Sequence, residues 1–216
     1  MSEHSLLPAE PAVSTPAADR TPRVSADWRQ GLPTLRGSGL SVRALRVSDA
    51  PSVFAMIATD DVTRFISPPP VSVQGFERFI GCANDDRGVG NGFCFAVVPE
   101  DVDVPVGIFQ VRRLEPSFET AEWGFALSDK FWGTGLFVAS ARLALQFLFE
   151  QGGIHRLEAR TLLSNERGNG VLKKLGATRE AVLRRGFHKG EHFYDQVLWA
   201  ILADEWLAAH GRGVSS

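Results

Sequence analysis

A chain of 216 residues with 44% hydrophobic content can bury one sizeable core, and its length does not demand a second domain. A formal net charge of -2 and a pI near 6.2 give no global attraction to nucleic acid or to an acidic membrane. Two cysteines, Cys82 and Cys94, are too few for a disulfide framework and read as thiols of a reducing compartment.

Residues 1–38 form a compositional block interrupted by Pro8, Pro11, Pro16, Pro22 and Pro33. No periodicity survives those prolines, so a mobile extension is expected there, with a partner-binding arm as the alternative. The folded domain is expected over residues 39–210, followed by a flexible tail over 211–216. No basic n-region and apolar h-region open the chain, and its longest apolar run, residues 197–203, is far short of the ~20 residues that cross a bilayer. A cytoplasmic location follows by default.

Within the domain, Ser41-Val42-Arg43-Ala44-Leu45 alternates like a half-buried strand. Ser48-Asp49-Ala50-Pro51 reads as a cap and first turn of a helix to about residue 58. After Pro68-Pro69-Pro70, Ser72 is placed to cap a second helix through residue 83, with Phe76, Phe79 and Ile80 on one face. Beyond the glycine-rich turn at 88–92 the period changes. Segments 93–98, 106–112 and 120–127 have strand length and short links, which suggests an antiparallel meander. A helix over 135–150 carries one polar stripe, Arg142, Gln146 and Glu150. A strand over 156–162, a helix over 167–175 stopped by Gly176, and two strands over 181–187 and 193–202 complete the order. The fold class is a mixed α/β (α+β) domain: a largely antiparallel sheet of about seven strands with helices on both faces. The strand–helix–strand step from 120 to 162 calls for one parallel pair.

The glycine turn Phe131-Trp132-Gly133-Thr134-Gly135 feeds directly into an apolar helix. Such a turn gathers unpaired N–H groups and the positive end of a helix dipole, a natural seat for phosphate. It lacks the Gly-Lys-Ser/Thr ending of a Walker loop and the Gly-x-Gly-x-x-Gly spacing of a dinucleotide fold. Paired basic residues, Lys173-Lys174 and Arg184-Arg185, read as solvated surface. His188 and His192 flank a turn without a third ligand, so no metal is expected. No Gly-x-Ser-x-Gly elbow is present.

Read from Lys130 to Gly135, the turn resembles the Gln/Arg-x-x-Gly-x-Gly/Ala pyrophosphate loop of the GNAT superfamily of N-acetyltransferases, with Lys130 departing from the usual first residue. In order along the chain, Ala121-Glu122-Trp123-Gly124-Phe125-Ala126-Leu127, Asn165-Glu166-Arg167-Gly168, Leu172-Lys173-Lys174-Leu175-Gly176 and Tyr194-Asp195-Gln196 extend the likeness. They are similar to the branch typified by ribosomal-protein N-terminal acetyltransferases (RimJ/RimL-like), over about residues 40–206. The resemblance implies acetyl-CoA as donor and the parallel pair splayed at the cofactor cleft. Backbone amides around Lys130, Trp132, Gly133, Thr134, Gly135 and Leu136 would hold the pyrophosphate. The strand edge at Phe125, Ala126 and Leu127 would meet the pantetheine arm, with Asn165 and Arg167 nearby. Asn165 also fits as a helix cap.

Acetyl transfer needs a polarised carbonyl, a neutral amine and a stabilised leaving thiolate. At pH 7 an α-amine of pKa ~8 costs roughly 1 kcal/mol to deprotonate, against roughly 4–5 kcal/mol for a lysine. Glu122 is the candidate base, on the strand face shared by Gly124 and Ala126; the alternative is a carboxylate paired with an arginine. Many GNAT relatives carry a tyrosine proton donor where this chain has Leu172. Tyr194, the single tyrosine, is the candidate acid or a packing aromatic. The expected activity is acetyl transfer to a primary amine, on a protein N-terminus or a small molecule, by direct attack. The alternative is a non-catalytic acyl-CoA sensor or ribosome-associated module. Exposed strand edges could support a homodimer.

Overall fold

The computed structural model describes residues 27–210. The chain runs β1 (Leu35–Gly37), β2 (Leu40–Ala44), α1 (Ala50–Ile57), α2 (Asp60–Thr63), α3 (Val73–Gly88), β3 (Gly92–Pro99), β4 (Gly107–Arg113) and β5 (Thr120–Leu127). It continues with α4 (Leu136–Glu150), β6 (Arg156–Leu162), α5 (Glu166–Lys174), β7 (Thr178–Lys189), β8 (His192–Leu202) and α6 (Ala203–His210). Eight strands form one sheet in the order β1-β2-β3-β4-β5-β6-β8-β7. Every neighbouring pair is antiparallel except β5 and β6.

That parallel pair positions the site. β5 and β6 are in register only at Thr120↔Arg156, Ala121↔Leu157 and Glu122↔Glu158. Beyond Glu122 the two strands diverge, and β5 continues to Leu127 beside β4 alone. The crossover between them is α4, as a parallel step requires.

Two apolar layers sandwich the sheet. β3 is buried along its whole length, so its residues alternate between layers. Phe93, Phe95 and Val97 pack with Ala141, Leu145 and Leu148 of α4. Cys94, Ala96 and Val98 pack with Val53 of α1 and Phe76 and Ile80 of α3. Ser72 caps α3, its Oγ accepting from the Gly75 N–H at 3.1 Å. Ser48 does not cap α1. Asp49 is buried there instead, accepting from the Arg46 N–H at 2.8 Å and paired with Arg43 at 2.7 Å. Burial of that carboxylate is offset by a two-point guanidinium contact.

Three elements differ from the sequence expectation. The extension expected over residues 1–38 falls outside the described residues up to 26, but residues 27–38 are packed. Trp28 is 4% exposed, with ring centroids 4.9 Å from Phe93 and 4.7 Å from Phe118. β1 then pairs with β2 through a turn in which Ser38 and Gly39 have φ of 54° and 72°, raising the count from about seven strands to eight. One large ring and one short edge pairing outweigh a proline-rich composition. α2 and α6, of four and eight residues, were also absent from the expected order because each is too short to develop a period. The expected tail, 211–216, lies outside the described residues. Among the described residues no helix is long and apolar enough to cross a membrane.

Candidate active site

Divergence of β5 and β6 opens a cleft of about 880 Å³. Its floor is the exposed edge of β5, and backbone alternation decides which groups face it. The Glu119 carbonyl accepts from the N–H groups of His155 and Arg156, on the β6 side, whereas the Thr120 carbonyl accepts from Leu114 on the β4 side. Odd-numbered residues of β5 therefore direct their N–H and C=O toward the cleft. Phe125 presents both, and Leu127 its N–H, where β6 has moved away, so an extended amide-bearing ligand can pair with this edge.

At the end of β5 the chain makes a short 3-10 turn, Asp129–Phe131, then the glycine loop. Gly133 and Gly135 have φ of 77° and 85°, a conformation that L side chains resist. A Cβ at either position meets nothing within 4 Å, so backbone shape, not packing, calls for glycine. Among the described residues none accepts from the N–H groups of Gly133, Thr134 or Gly135. These donors stand at the N-terminus of α4, a fifteen-residue helix whose dipole adds positive potential. Thr134 braces the loop, its hydroxyl donating to the Phe131 carbonyl at 2.8 Å and accepting from the Leu136 N–H at 3.3 Å. The Trp132 indole N–H donates to the Leu127 carbonyl at 3.0 Å, and the Arg167 guanidinium stacks 4.0 Å from its ring centroid.

The opposite wall is the end of β6 and the start of α5. Asn165 caps α5, its Oδ1 accepting from the Gly168 N–H at 2.9 Å. Asn169, one turn on, was not anticipated. Its Nδ2 donates to the carbonyls of Leu162 at 2.9 Å and Asn165 at 2.8 Å; its Oδ1 accepts from Thr161 Oγ1 at 2.5 Å and Trp199 Nε1 at 2.9 Å. The Leu163 N–H pairs with β8, so the Leu162 carbonyl points away from β8, toward β5. Asn169 and the Asn165 N–H satisfy that carbonyl and hold the strand end apart from β5. Spacing of four residues from Asn165 was the available signal, though the buried indole that makes Asn169 a hub comes from β8.

Glu122 faces the cleft from the α1–α3 side of β5, together with Gly124 and Ala126 as alternation required. Its Oε2 accepts from Arg160 Nη1 at 3.0 Å and from Arg112 Nη2. Arg160 also reaches Glu158 at 3.5 Å, and Glu158 and Glu180 both pair with Arg156, at 3.0 and 2.5 Å. The Arg156 guanidinium holds the Glu180 carboxyl below the usual carboxylate range. A chain of alternating charges therefore crosses β4, β5, β6 and β7 at the base of the cleft. Arginine pairing, one of the two readings of Glu122, is what the geometry displays.

Of the residues expected to meet the cofactor, Phe125, Ala126, Leu127, Trp132, Gly133, Gly135, Asn165 and Arg167 line the cleft, with Phe137, Val138 and Lys174 beside them. Lys130, Thr134 and Leu136 do not line it; the Lys130 N–H instead bonds the Asp129 carboxylate at 2.9 Å. Tyr194 stands apart from the other candidates. It sits 39% exposed on the β7–β8 hairpin against Phe187 and His192, while Phe187 and Gln196 reach the cleft and Tyr194 does not. Tyr194 shares a sheet face with Gln196 and its cross-strand partner Phe187 but stands two residues nearer the hairpin tip than Gln196. Leu172 is fully buried in the α4-side core. His188 stacks on Phe193, and among the described residues no three His, Cys, Asp or Glu side chains gather as a metal centre.

A family model described as the acetyltransferase (GNAT) domain matches residues 40–178. An uncharacterized N-acetyltransferase of Bacillus subtilis (strain 168), YnaD, is 24% identical over 169 residues, 77% of this chain and 95% of its own length. The [ribosomal protein uS5]-alanine N-acetyltransferase of Escherichia coli (strain K12) is 23% identical over 134 residues, 62% of this chain and 69% of that protein. The solved structure of Mycobacterium smegmatis RimJ in complex with CoA-disulfide superposes with a TM-score of 0.72 at 20% identity, over 86% of this chain and 97% of that one.

Proposed function

Since the chain belongs to the GNAT acetyltransferase family, whose members use acetyl-CoA as co-substrate, we propose that the β5–β6 cleft binds acetyl-CoA and acetylates a primary α-amine. One observation carries this reading: the unpaired loop amides and the open β5 edge face the same cleft. The first suits a pyrophosphate, the second an extended chain with amide groups. Trp132, Gly133, Gly135 and Asn165 would frame the pyrophosphate end, with Arg167 and Lys174 supplying positive charge.

Acetyl-CoA supplies the acyl group: the amine nitrogen bonds to the carbonyl carbon and the carbon–sulfur bond breaks, its electron pair leaving on sulfur. The amine proton passes to solvent. The Leu127 N–H, at the end of the open edge, is placed to donate to the acyl oxygen. Glu122 acts as an anchor for Arg112 and Arg160 at the splay point. Its Oε2 is already engaged by two guanidiniums, so the amine arrives neutral from solution, which α-amines do far more readily than lysines. No tyrosine lines the cleft, and a thiol of pKa about 8.5 can depart as thiolate near neutral pH without a strong acid.

The same absence of tyrosine from the cleft favours a second reading, an acyl-CoA-binding module without turnover. Steady-state release of free CoA thiol with a panel of α-amines decides between them. Amine-dependent release supports transfer. Thermal stabilisation by acetyl-CoA with no release from any amine supports the binding module. No stabilisation by acetyl-CoA sinks both.

A further inference from the structure

The cleft extends beyond the β5 edge onto the sheet face that carries Glu122 and Gly124, and its character changes there. Phe65, Ile66 and Pro69 follow α2, Phe79 lies on α3 and Phe187 on β7; all five line the cavity and all are only partly buried. Lys189 Nζ donates to the Thr63 carbonyl at 2.5 Å, tying the β7–β8 hairpin to the end of α2 and closing this part of the cleft between them.

Charge is scarce in the same region. The Glu122 carboxylate is shared between Arg112 and Arg160, so it has little attraction left for a cation. Asp61 stands exposed on α2, at the rim. Gln110 and Gln196 are polar but neutral. An acceptor with several ammonium groups would have to desolvate charge without a counter-ion, whereas an apolar ring would cover the partly exposed aromatic wall.

We propose that the acceptor is a primary amine bearing an apolar, ring-sized group close to its nitrogen, and that Phe65, Phe79 and Phe187 select it against small and polycationic amines. This rests on the transferase reading above. The amine enters with its nitrogen toward Leu127 and Glu122, and its side chain lies between the α2–α3 segment and the β7–β8 hairpin.

The full-length protein is assayed for CoA thiol release with phenylalaninamide, leucinamide, glycinamide and spermidine, and binding of the same four to the CoA-saturated protein is measured by calorimetry. Phenylalaninamide should exceed glycinamide at least tenfold in kcat/KM and in affinity, with spermidine weakest. Phe79→Ala should bring the phenylalaninamide-to-glycinamide ratio to within about twofold of unity. Phe187→Ser, on the hairpin, should do the same if the α3 variant folds poorly. Equal or better use of glycinamide or spermidine overturns the proposal, as does a ratio that survives both substitutions. Calorimetric preference for the aromatic amine without any turnover supports the pocket assignment and instead overturns acetyl transfer.

Discussion

The Arg167 guanidinium lies 4.0 Å from the centroid of the Trp132 ring, joining the two walls that β5 and β6 separate. Trp132 is itself tied to β5 through the Leu127 carbonyl, so the stack fixes the start of α5 relative to the glycine loop. A cation–π contact of this kind is worth about 0.5–1.5 kcal/mol. Arg167→Ala should therefore weaken CoA binding by roughly 3- to 10-fold in a calorimetric titration. Unchanged affinity would remove the stack from the binding site.

Gly135 adopts φ 85° with open space around its missing Cβ. Gly135→Ala should cost about 1–2 kcal/mol of backbone strain if the loop keeps its shape. A loop that relaxes instead loses its convergent amides. Either route predicts CoA affinity reduced about tenfold or more, with a melting temperature within a few degrees of the parent. A variant that binds CoA as the parent does would show that the loop amides are not the pyrophosphate seat.

Glu122→Gln tests whether the carboxylate takes the proton. The acid limb of kcat/KM against pH should follow the amine's own pKa, near 8 for an α-amine, and should move when the amine is changed. That limb should persist in the variant, at a reduced rate because Arg112 and Arg160 lose their anionic partner. Disappearance of the limb would make Glu122 the base.

Asn169→Ala leaves the buried Trp199 indole and the Thr161 hydroxyl without their shared acceptor, and the Leu162 carbonyl without one donor. Unsatisfied groups of this kind should lower stability by about 2–4 kcal/mol in total. The melting temperature should then fall by roughly 5–12 °C in a domain of this size. A fall of only a degree or two would mean that water takes over these bonds.

Burial pushes the Cys94 thiol up to about 12, whereas Cys82 is exposed. The sign follows from desolvation, which disfavours the thiolate, so at pH 8 Cys94 is almost wholly protonated. Iodoacetamide at pH 8 should label Cys82 and leave Cys94 unmodified until the protein is unfolded, as read by peptide mass. Labelling of both thiols in the folded protein contradicts the β3 packing.

Periodicity recovered β6 at its observed bounds and placed β3 to β5, α4 and α5 to within one or two residues, because each is long enough for apolar spacing to repeat. The glycine loop and the α5 cap were legible for a related reason. A glycine pair before a helix states its own backbone geometry, and Asn165 states a cap. β1, α2 and α6 were not legible, being too short for a pattern; their places depend on Trp28, on the contacts around Val62 and on the Phe149–Trp206 ring pair.

Local chemistry written in the sequence thus determined the order of elements, the left-handed glycines and the face on which Glu122 stands. Tertiary structure alone decided what those groups do. Arg112 and Arg160 reach Glu122 from two other strands, Trp199 reaches Asn169 from a third, and Phe187 lines the cleft while its cross-strand partner Tyr194 does not. Partners ten to thirty-eight residues apart in the chain meet because strand pairing sets β4, β5 and β6 side by side and inserts β8 next to β6. No local pattern encodes that meeting, and the roles of Glu122, Asn169 and Tyr194 turn on it.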